Sequence, residues 1–244
     1  MPANPAERLR FALTPPQAVS HASAVVYRPP SDGGRAAFVL AHGAGADLTN
    51  QLLRSVARGV AGRGYPVLTF NFGYAEAGRK RPDPAARLEV AFRDALRFAR
   101  TALFADRPLL LGGRSMGGRI ASRLAAQGEP CAGLAFLGYP LHPPGEGRPG
   151  SAAAGRQKVR TAHWPQLRVP LLFVQGDRDR LCDLDLLARE RAAHLQQASP
   201  SRLHVVRNGD HGFSVPAADG RTAAEVRAEV VRAVADWADG LQLL

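Results

Sequence analysis

The sequence predicts an α/β fold: a doubly wound, mostly parallel sheet of about seven to eight strands, without a large cap domain. Three observations predict it. Short apolar runs alternate with longer segments of helical periodicity along the chain. The runs are four or five residues long, which is typical of buried parallel strands. Several runs are followed at once by Gly-rich polar segments, as at the carboxyl edge of an open parallel sheet.

The apolar runs predict the strands, which are residues 24–27, 37–41, 67–70, 109–112, 133–137, 171–175 and 203–206. The segments between them predict the helices, which are residues 50–62, 84–104, 116–127, 184–197 and 221–237. In the second of these helices, one buried face is indicated by apolar residues at i, i+3 and i+4 spacing, namely Leu88, Ala91, Phe92, Ala95, Leu96 and Ala99. We expect a single domain over residues 1–244.

Residues 142–157 interrupt this alternation with a cluster of Pro, Gly and Ala. Such a composition predicts a flexible surface excursion rather than a linker, because it lies between two strands of one sheet. The segment is too short to form a large helical cap.

Composition narrows the class of protein. The chain has 244 residues, of which 45% are hydrophobic and 22% charged, as in ordinary globular proteins. The net charge is +11, but the basic residues are spread over every segment, so we expect no nucleic-acid partner. No apolar stretch is long enough to span a membrane, no secretory signal is evident, and Cys131 and Cys182 lack metal-site spacing. We therefore expect a cytoplasmic protein without a bound metal; its oligomeric state stays open.

A candidate nucleophile lies between a predicted strand and a predicted helix. Residues 113–117 (GRSMG) contain Ser115 between two glycines. A serine at a sharp strand-to-helix turn needs glycines where neighbouring backbones approach it, and the helix N-terminus favours negative charge near its hydroxyl. The pattern predicts that Ser115 attacks a substrate carbonyl.

A nucleophilic serine needs a base oriented by an acid, and in this architecture the acid precedes the histidine along the chain. His211 lies in a Gly-rich loop after the last predicted strand, and we expect it to be the base. The loop after the preceding strand contains Asp177 and Asp179, of which Asp179 is preferred as the acid and Asp177 is the alternative. Asp210 is expected to brace its own turn.

An oxyanion hole requires two backbone N–H groups, one following the nucleophile and one in the loop after an early strand. These donors are predicted to be Met116 and Ala44, with Gly45 as the alternative to Ala44. His42 opens that loop and is expected to brace it.

Nucleotide cofactors are not predicted. Residues 73–80 (GYAEAGRK) approximate a P-loop, but Arg79 replaces the phosphate-binding lysine and Lys80 the Mg²⁺-binding Ser/Thr. Residues 43–45 (GAG) lack the third glycine of a dinucleotide site. We expect the chemistry to need no cofactor.

The sequence resembles the α/β-hydrolase superfamily from residue 24 onward, and more narrowly the KANL3/Tex30-like group, which is close to the dienelactone-hydrolase-like enzymes. The resemblance is carried by residues 42–46 (HGAGA), 113–119 (GRSMGGR), 138–142 (GYPLH), 175–179 (QGDRD) and 209–213 (GDHGF). It implies Ser115 as nucleophile, Asp179 as acid and His211 as base. It also implies that Tyr74 and Arg79 lie in a loop flanking the pocket.

These residues predict a serine hydrolase that cleaves a small ester, thioester or related acyl substrate through an acyl-enzyme. Tyr74, Arg79 and Arg114 are candidate substrate-binding residues: Tyr74 would flank the pocket, and the guanidinium groups of the two arginines match a carboxylate. The alternative is a catalytically silent α/β-hydrolase fold that acts as a protein-interaction module.

Overall fold

The computed structural model of the protein describes residues 6–31, 36–143, 159–196 and 200–242. Eight strands form one sheet in the spatial order β1-β2-β4-β3-β5-β6-β7-β8. They are β1 (Glu7–Ala12), β2 (His21–Tyr27), β3 (Ala37–Ala41), β4 (Val67–Phe70), β5 (Leu109–Arg114), β6 (Gly133–Leu137), β7 (Leu171–Gly176) and β8 (Ser201–Val206). β1 and β2 are antiparallel to their neighbours, and all other pairs are parallel. The predicted fold class is confirmed.

Helices cover both faces of the sheet. They are α1 (Gln51–Gly62), α2 (Gly73–Glu76), α3 (Ala85–Phe98), α4 (Met116–Ala126), α5 (Leu184–His194) and α6 (Ala223–Asp239). One apolar core includes residues of α3, α4 and α5, and a second core on the opposite face includes residues of α1 and α6. Among the described residues no separate cap domain interrupts this arrangement.

Burial on both faces explains why the central strands have apolar sequences without alternation. Every residue of β3, β4 and β6 is buried, because both faces of these strands pack against a layer of helices. β3 and β5 are neighbours, and Ala41 at the end of β3 pairs with Gly113 near the end of β5. This register brings the loop after β3 beside the turn after β5.

The N-terminal strands differ from the prediction. β1 was not predicted, and β2 begins at His21 rather than at residue 24. β1 is an edge strand of sequence ERLRFA in which only Phe11 is buried, so it lacks the apolar run that reveals a central strand. Thr14, just after β1, is held to α3 by hydrogen bonds from its backbone N–H and its hydroxyl to the Asp94 carboxylate, at 2.7 and 2.8 Å.

Helix bounds also differ in places. The predicted helix 84–104 ends as α3 at Phe98, and a π-helical turn (Ala99–Leu103) follows it. α5 ends at His194, before the predicted residue 197. The short α2 was not predicted. The predicted excursion 142–157 falls almost wholly on residues 144–158, which lie outside the described residues.

None of the helices in the described ranges combines the length and the apolar character that a membrane span requires.

Candidate active site

Ser115 lies at a sharp turn between β5 and α4. Its backbone has φ 50° and ψ −114°, in the left-handed half of conformational space that a non-glycine residue rarely occupies. The Ser115 N–H donates to the Leu137 carbonyl of β6 at 2.9 Å, which holds the turn against the sheet. The Ser115 side chain does not cap α4. Its hydroxyl is therefore available to a partner outside the helix.

The glycines of this turn are required by close approach of the β3 backbone. A Cβ on Gly113 would lie 2.1 Å from the Ala41 carbonyl oxygen, and a Cβ on Gly117 would lie 2.4 Å from the same atom. Gly113 also has φ 145°. No side chain fits at either position, so the two glycines allow the backbone of the Ser115 turn to pack directly against the end of β3.

His211 lies in the loop after β8 and contacts Ser115. Its Nε2 is 2.9 Å from the Ser115 Oγ, and its Nδ1 is 2.8 Å from Asp179 Oδ2. The imidazole is partly open to solvent, with 24% of its side-chain surface exposed. Because a carboxylate can only accept, Nδ1 carries a proton and Nε2 is free to accept one from the Ser115 hydroxyl.

Asp179 is held rigidly at the end of β7. Its carboxylate is inaccessible to solvent; Oδ1 accepts the Leu181 N–H at 2.8 Å, and Oδ2 accepts a hydrogen bond from the Gln175 side chain. The alternative acid, Asp177, is exposed, and no contact joins it to His211. The structure therefore brings Asp179, and not Asp177, to the histidine.

Gln175 is a residue whose role the sequence did not reveal. It is fully buried at the end of β7; its Nε2 donates to Asp179, and its Oε1 accepts the Tyr139 N–H at 2.8 Å. It thereby ties the loop after β6 to the carboxylate. The available signal was a polar residue closing an otherwise apolar run. Gly138, beside it, has φ 71°, and a Cβ there would lie 3.2 Å from the His211 carbonyl oxygen.

The loop after β3 approaches Ser115 from the other side. A Cβ on Gly43 would lie 3.5 Å from the Ser115 Cβ. His42, which opens the loop, is fully buried; its Nδ1 donates to the Gly43 carbonyl at 2.9 Å, and its Nε2 accepts the Phe72 N–H at 3.1 Å. Burial lowers the pKa of His42 from 6.5 to about 4, so the ring is neutral. The structure thus places His42 as a brace for the loop.

Tyr74 is placed beneath this loop rather than in a pocket. It has no exposed surface, and its hydroxyl donates to the Gly43 carbonyl at 3.4 Å. Burial raises the pKa of Tyr74 to about 12, against an opposing hydrogen bond from the Gly45 amide. A substrate therefore cannot touch the Tyr74 side chain in this structure. The expectation that it binds substrate does not fit its burial.

Two backbone N–H groups near Ser115 have no acceptor within the part of the chain that the structure describes. They are those of Met116, at the start of α4, and Ala44, in the loop after β3. The Gly43 carbonyl is engaged by His42, Tyr74 and the Ala46 N–H. In a trans peptide the N–H points away from the carbonyl, so these bonds direct the Ala44 N–H away from the loop interior.

The two predicted substrate-binding arginines have different surroundings. Arg79 donates to Asp83 Oδ1 at 2.9 Å, and Arg87 lies 3.4 Å from the same oxygen, beside a cavity of about 500 Å³. Arg114 lies directly before Ser115 and forms no hydrogen bond or ion pair with any described residue. Arg79 thus has an ion-pair partner, whereas Arg114 has none among the described residues.

A metal centre is not indicated by the side chains that the structure places: among them, no three His, Cys, Asp or Glu groups lie together as a ligand set.

A mostly parallel sheet with a serine, a histidine and an aspartate meeting at its carboxyl edge defines the class of α/β hydrolases. The chain belongs to the alpha/beta hydrolase domain family, whose sequence model matches residues 34–239.

Solved structures with the same fold include a serine hydrolase without a lid from Xanthomonas campestris, at 20% identity and TM-score 0.68, with 100% of both chains covered. A dienelactone hydrolase from Anabaena variabilis is similar at 17% identity and TM-score 0.71, covering 97% of this chain and 98% of that one. A serine hydrolase homologue from Coxiella burnetii shows 19% identity and TM-score 0.67, covering 95% and 98%. At these identities the likeness is one of fold.

Proposed function

We propose that the protein is a serine hydrolase that cleaves a small ester, thioester or related acyl substrate. The observation that carries the proposal is the continuous chain of contacts from Ser115 Oγ to His211 Nε2, at 2.9 Å, and from His211 Nδ1 to Asp179 Oδ2, at 2.8 Å. These distances are within reach for proton transfer, and each group has the partner that its role requires.

In the proposed mechanism, Ser115 Oγ attacks the acyl carbon while its proton moves to His211 Nε2. Asp179 keeps the Nδ1 proton in place and stabilises the imidazolium that forms. The tetrahedral intermediate collapses, the bond to the leaving group breaks, and His211 gives its proton to the departing oxygen or sulfur. Water then attacks the acyl-enzyme with His211 again as base, which releases the acid and restores Ser115.

The negative charge of the intermediate would be stabilised by the N–H groups of Met116 and Ala44. Both lack an acceptor among the described residues. Met116 directly follows Ser115, and Ala44 directly follows Gly43, whose Cβ position lies 3.5 Å from the Ser115 Cβ. The alternative donor, Gly45, is less suited because its amide interacts with the Tyr74 hydroxyl. One such donor is typically worth roughly 10² to 10³ in rate, so the loop braced by His42 and Tyr74 matters nearly as much as the nucleophile.

The size of the substrate and the branch of the α/β-hydrolase family can be proposed as well. A small substrate is favoured because the described residues contribute no cap domain over the carboxyl edge of the sheet. The motifs that resemble the KANL3/Tex30-like group and the dienelactone-hydrolase-like enzymes favour that branch of the family. The fold shared with a dienelactone hydrolase is consistent with it. We also propose a cytoplasmic location, in keeping with two cysteines that are both free.

The proposal is tested by covalent labelling with a fluorophosphonate probe, which reacts only with an activated serine. Wild-type protein should be labelled, and Ser115→Ala and His211→Ala should not. Ser122→Ala is the matched control. Ser122 also contacts a histidine, with its Oγ 2.7 Å from His163 Nε2, but it is fully buried. This variant should keep the labelling.

Absence of labelling in folded wild-type protein would refute the proposal. It would favour the alternative, in which the fold serves as a protein-interaction module, and a search for protein partners would follow. Labelling that persists in Ser115→Ala would place the reactive serine elsewhere.

A further inference from the structure

A cavity of about 350 Å³ lies next to His211, over the face of the sheet that α1 and α6 cover. It is bounded by the residues that immediately follow His211 and by Arg114, which immediately precedes Ser115. The first residues of α1 and α6 close it on the other side. The cavity thus borders the loop that carries His211 and the residue that precedes Ser115.

Arg114 brings to this cavity a positive charge that has no ion-pair partner among the described residues. Its guanidinium lies between two loops: a Cβ on Gly43 would be 3.2 Å from Nη1, and a Cβ on Gly212 would be 3.7 Å from Nη2. Burial lowers the pKa of Arg114, and the carboxylates of Asp210 and Asp179 oppose this through space. Desolvating a cation without a partner is unfavourable, so this position calls for an anion.

Neither nearby carboxylate forms an ion pair with Arg114. Asp210 Oδ1 accepts the N–H groups of Gly212 and Ser214, at 2.7 and 2.8 Å. Asp179 is bound to His211 and Asp210 Oδ1 to its own loop, and neither carboxylate lies within ion-pair distance of Arg114.

A second unpaired cation lines the same cavity. Arg227, in the second turn of α6, forms no hydrogen bond or ion pair with any described residue. Arg221, which also lines the cavity, differs because its guanidinium is bound by Asp219 and Glu229. The cavity is therefore lined by two guanidinium groups that have no ion-pair partner among the described residues, and Ser214 lines it as well.

We propose that the cavity between Arg114 and Arg227 binds a phosphate group beside the Ser115–His211 pair. A phosphate monoester carries a charge of about −1.5 to −2 at neutral pH, which matches two guanidinium groups, and its oxygens accept several hydrogen bonds. The N-termini of α1 and α6 add a favourable field. The phosphate comes either from the substrate itself or from free phosphate; the first source rests on the proposed hydrolase function, whereas the binding site does not.

The site is tested by titrating inorganic phosphate into the purified protein by calorimetry at constant ionic strength. Wild-type protein should bind, and loss of one charge-assisted contact should weaken the affinity at least about tenfold in Arg227→Gln and in Arg114→Gln. Arg232→Gln is the matched control, since Arg232 is an exposed arginine of α6 that does not line the cavity. Its affinity for phosphate should equal that of the wild type.

Failure of the wild type to bind phosphate would overturn the proposal. Equal weakening by Arg232→Gln and Arg227→Gln would also overturn it, because the binding would then reflect the overall charge of +11. The two arginine variants of the cavity are independent, so misfolding of Arg114→Gln leaves Arg227→Gln as the test.

The source of the phosphate is separated by comparing acetylglycerol with acetylglycerol phosphate as substrates. A substrate phosphate predicts a KM at least about tenfold lower for the phosphorylated ester, and loss of this difference in Arg227→Gln. Equal KM values with retained phosphate binding assign the site to free phosphate. If neither ester is hydrolysed and the fluorophosphonate does not label the protein, but phosphate still binds, the proposed function fails and the phosphate site stands.

Discussion

His42 is the buried group whose protonation should destabilise the protein in mild acid. Its two hydrogen-bond partners fix the protonation state of the ring. The Gly43 carbonyl can only accept, so Nδ1 carries a proton, and the Phe72 N–H can only donate, so Nε2 carries none. A proton added to Nε2 would face the Phe72 N–H. The ring is buried as well, so the folded protein disfavours the charged form on both counts.

The size of the effect follows from the pKa of His42, which burial lowers from 6.5 to about 4. As the pH falls, the unfolded chain binds a proton at this residue before the folded chain does. The stabilisation from a neutral His42 is therefore complete above about pH 6.5 and is lost as the pH falls toward 4. Linkage gives a loss of about 2 kcal/mol at pH 5 and about 3 kcal/mol near pH 4.

The assay is urea denaturation at pH 7 and pH 5 of the wild type, His42→Gln and His42→Asn. Gln can still accept from Phe72, and Asn can still donate to Gly43, so each variant keeps one of the two hydrogen bonds and neither titrates. Between the two pH values, the wild type should lose about 2 kcal/mol more than either variant. His163, whose pKa burial also lowers to about 4, is common to all three proteins and cancels in the comparison. Equal losses in all three proteins would refute the reasoning.

Two further predictions concern the contacts of His211. Asp179→Asn should lower kcat by about 10⁴-fold, because an amide can stabilise the wrong tautomer of the imidazole. Steady-state kinetics should show no such loss for Asp177→Asn, since Asp177 is exposed. A large loss in Asp177→Asn but not in Asp179→Asn would assign the role of the acid to Asp177. Gly138→Ala should lower kcat by about 10- to 100-fold with the fold retained, since its Cβ would press on the His211 carbonyl and ring at 3.2 and 3.6 Å in a backbone of φ 71°. An unchanged kcat with an unchanged circular dichroism spectrum would contradict this second prediction.

The central fold and the meeting of Ser115, Asp179 and His211 could be predicted from the sequence because parallel strands end at one edge. Once the apolar runs are strands of one parallel sheet, the loops that follow them must be neighbours. The GRSMG motif then places a serine at that edge, and the two later loops supply the other two side chains. The sequence favours Asp179 over Asp177 but leaves both open, because both lie in the same loop; the structure shows that Asp179 is the one in contact with His211.

Other features depend on contacts that no local pattern encodes. β1 pairs with β2 at an edge and carries charged side chains, so its sequence looks like a loop. Tyr74 was expected near a pocket, but its position beneath Gly43 depends on how α2 packs under the loop after β3. The lack of an ion-pair partner for Arg114 among the described residues is likewise a property of the assembled fold, since Asp179 and Asp210 come near it only in space and bind groups of their own.

The pairing of Ala41 with Gly113 has a consequence for how the site tolerates sequence change. The nucleophile turn rests on the β3 backbone through hydrogen-bond register and two glycines, not through side-chain packing. Substitutions elsewhere in the core can therefore accumulate while the serine keeps its position relative to the loop that would receive the oxyanion. A single-residue insertion in β3 or β5 would be far more damaging, because it would shift one strand against the other and separate the two halves of the site. A turn anchored in the backbone in this way suits a fold that persists at low sequence identity, and the serine hydrolase from Xanthomonas campestris shares this fold at 20% identity.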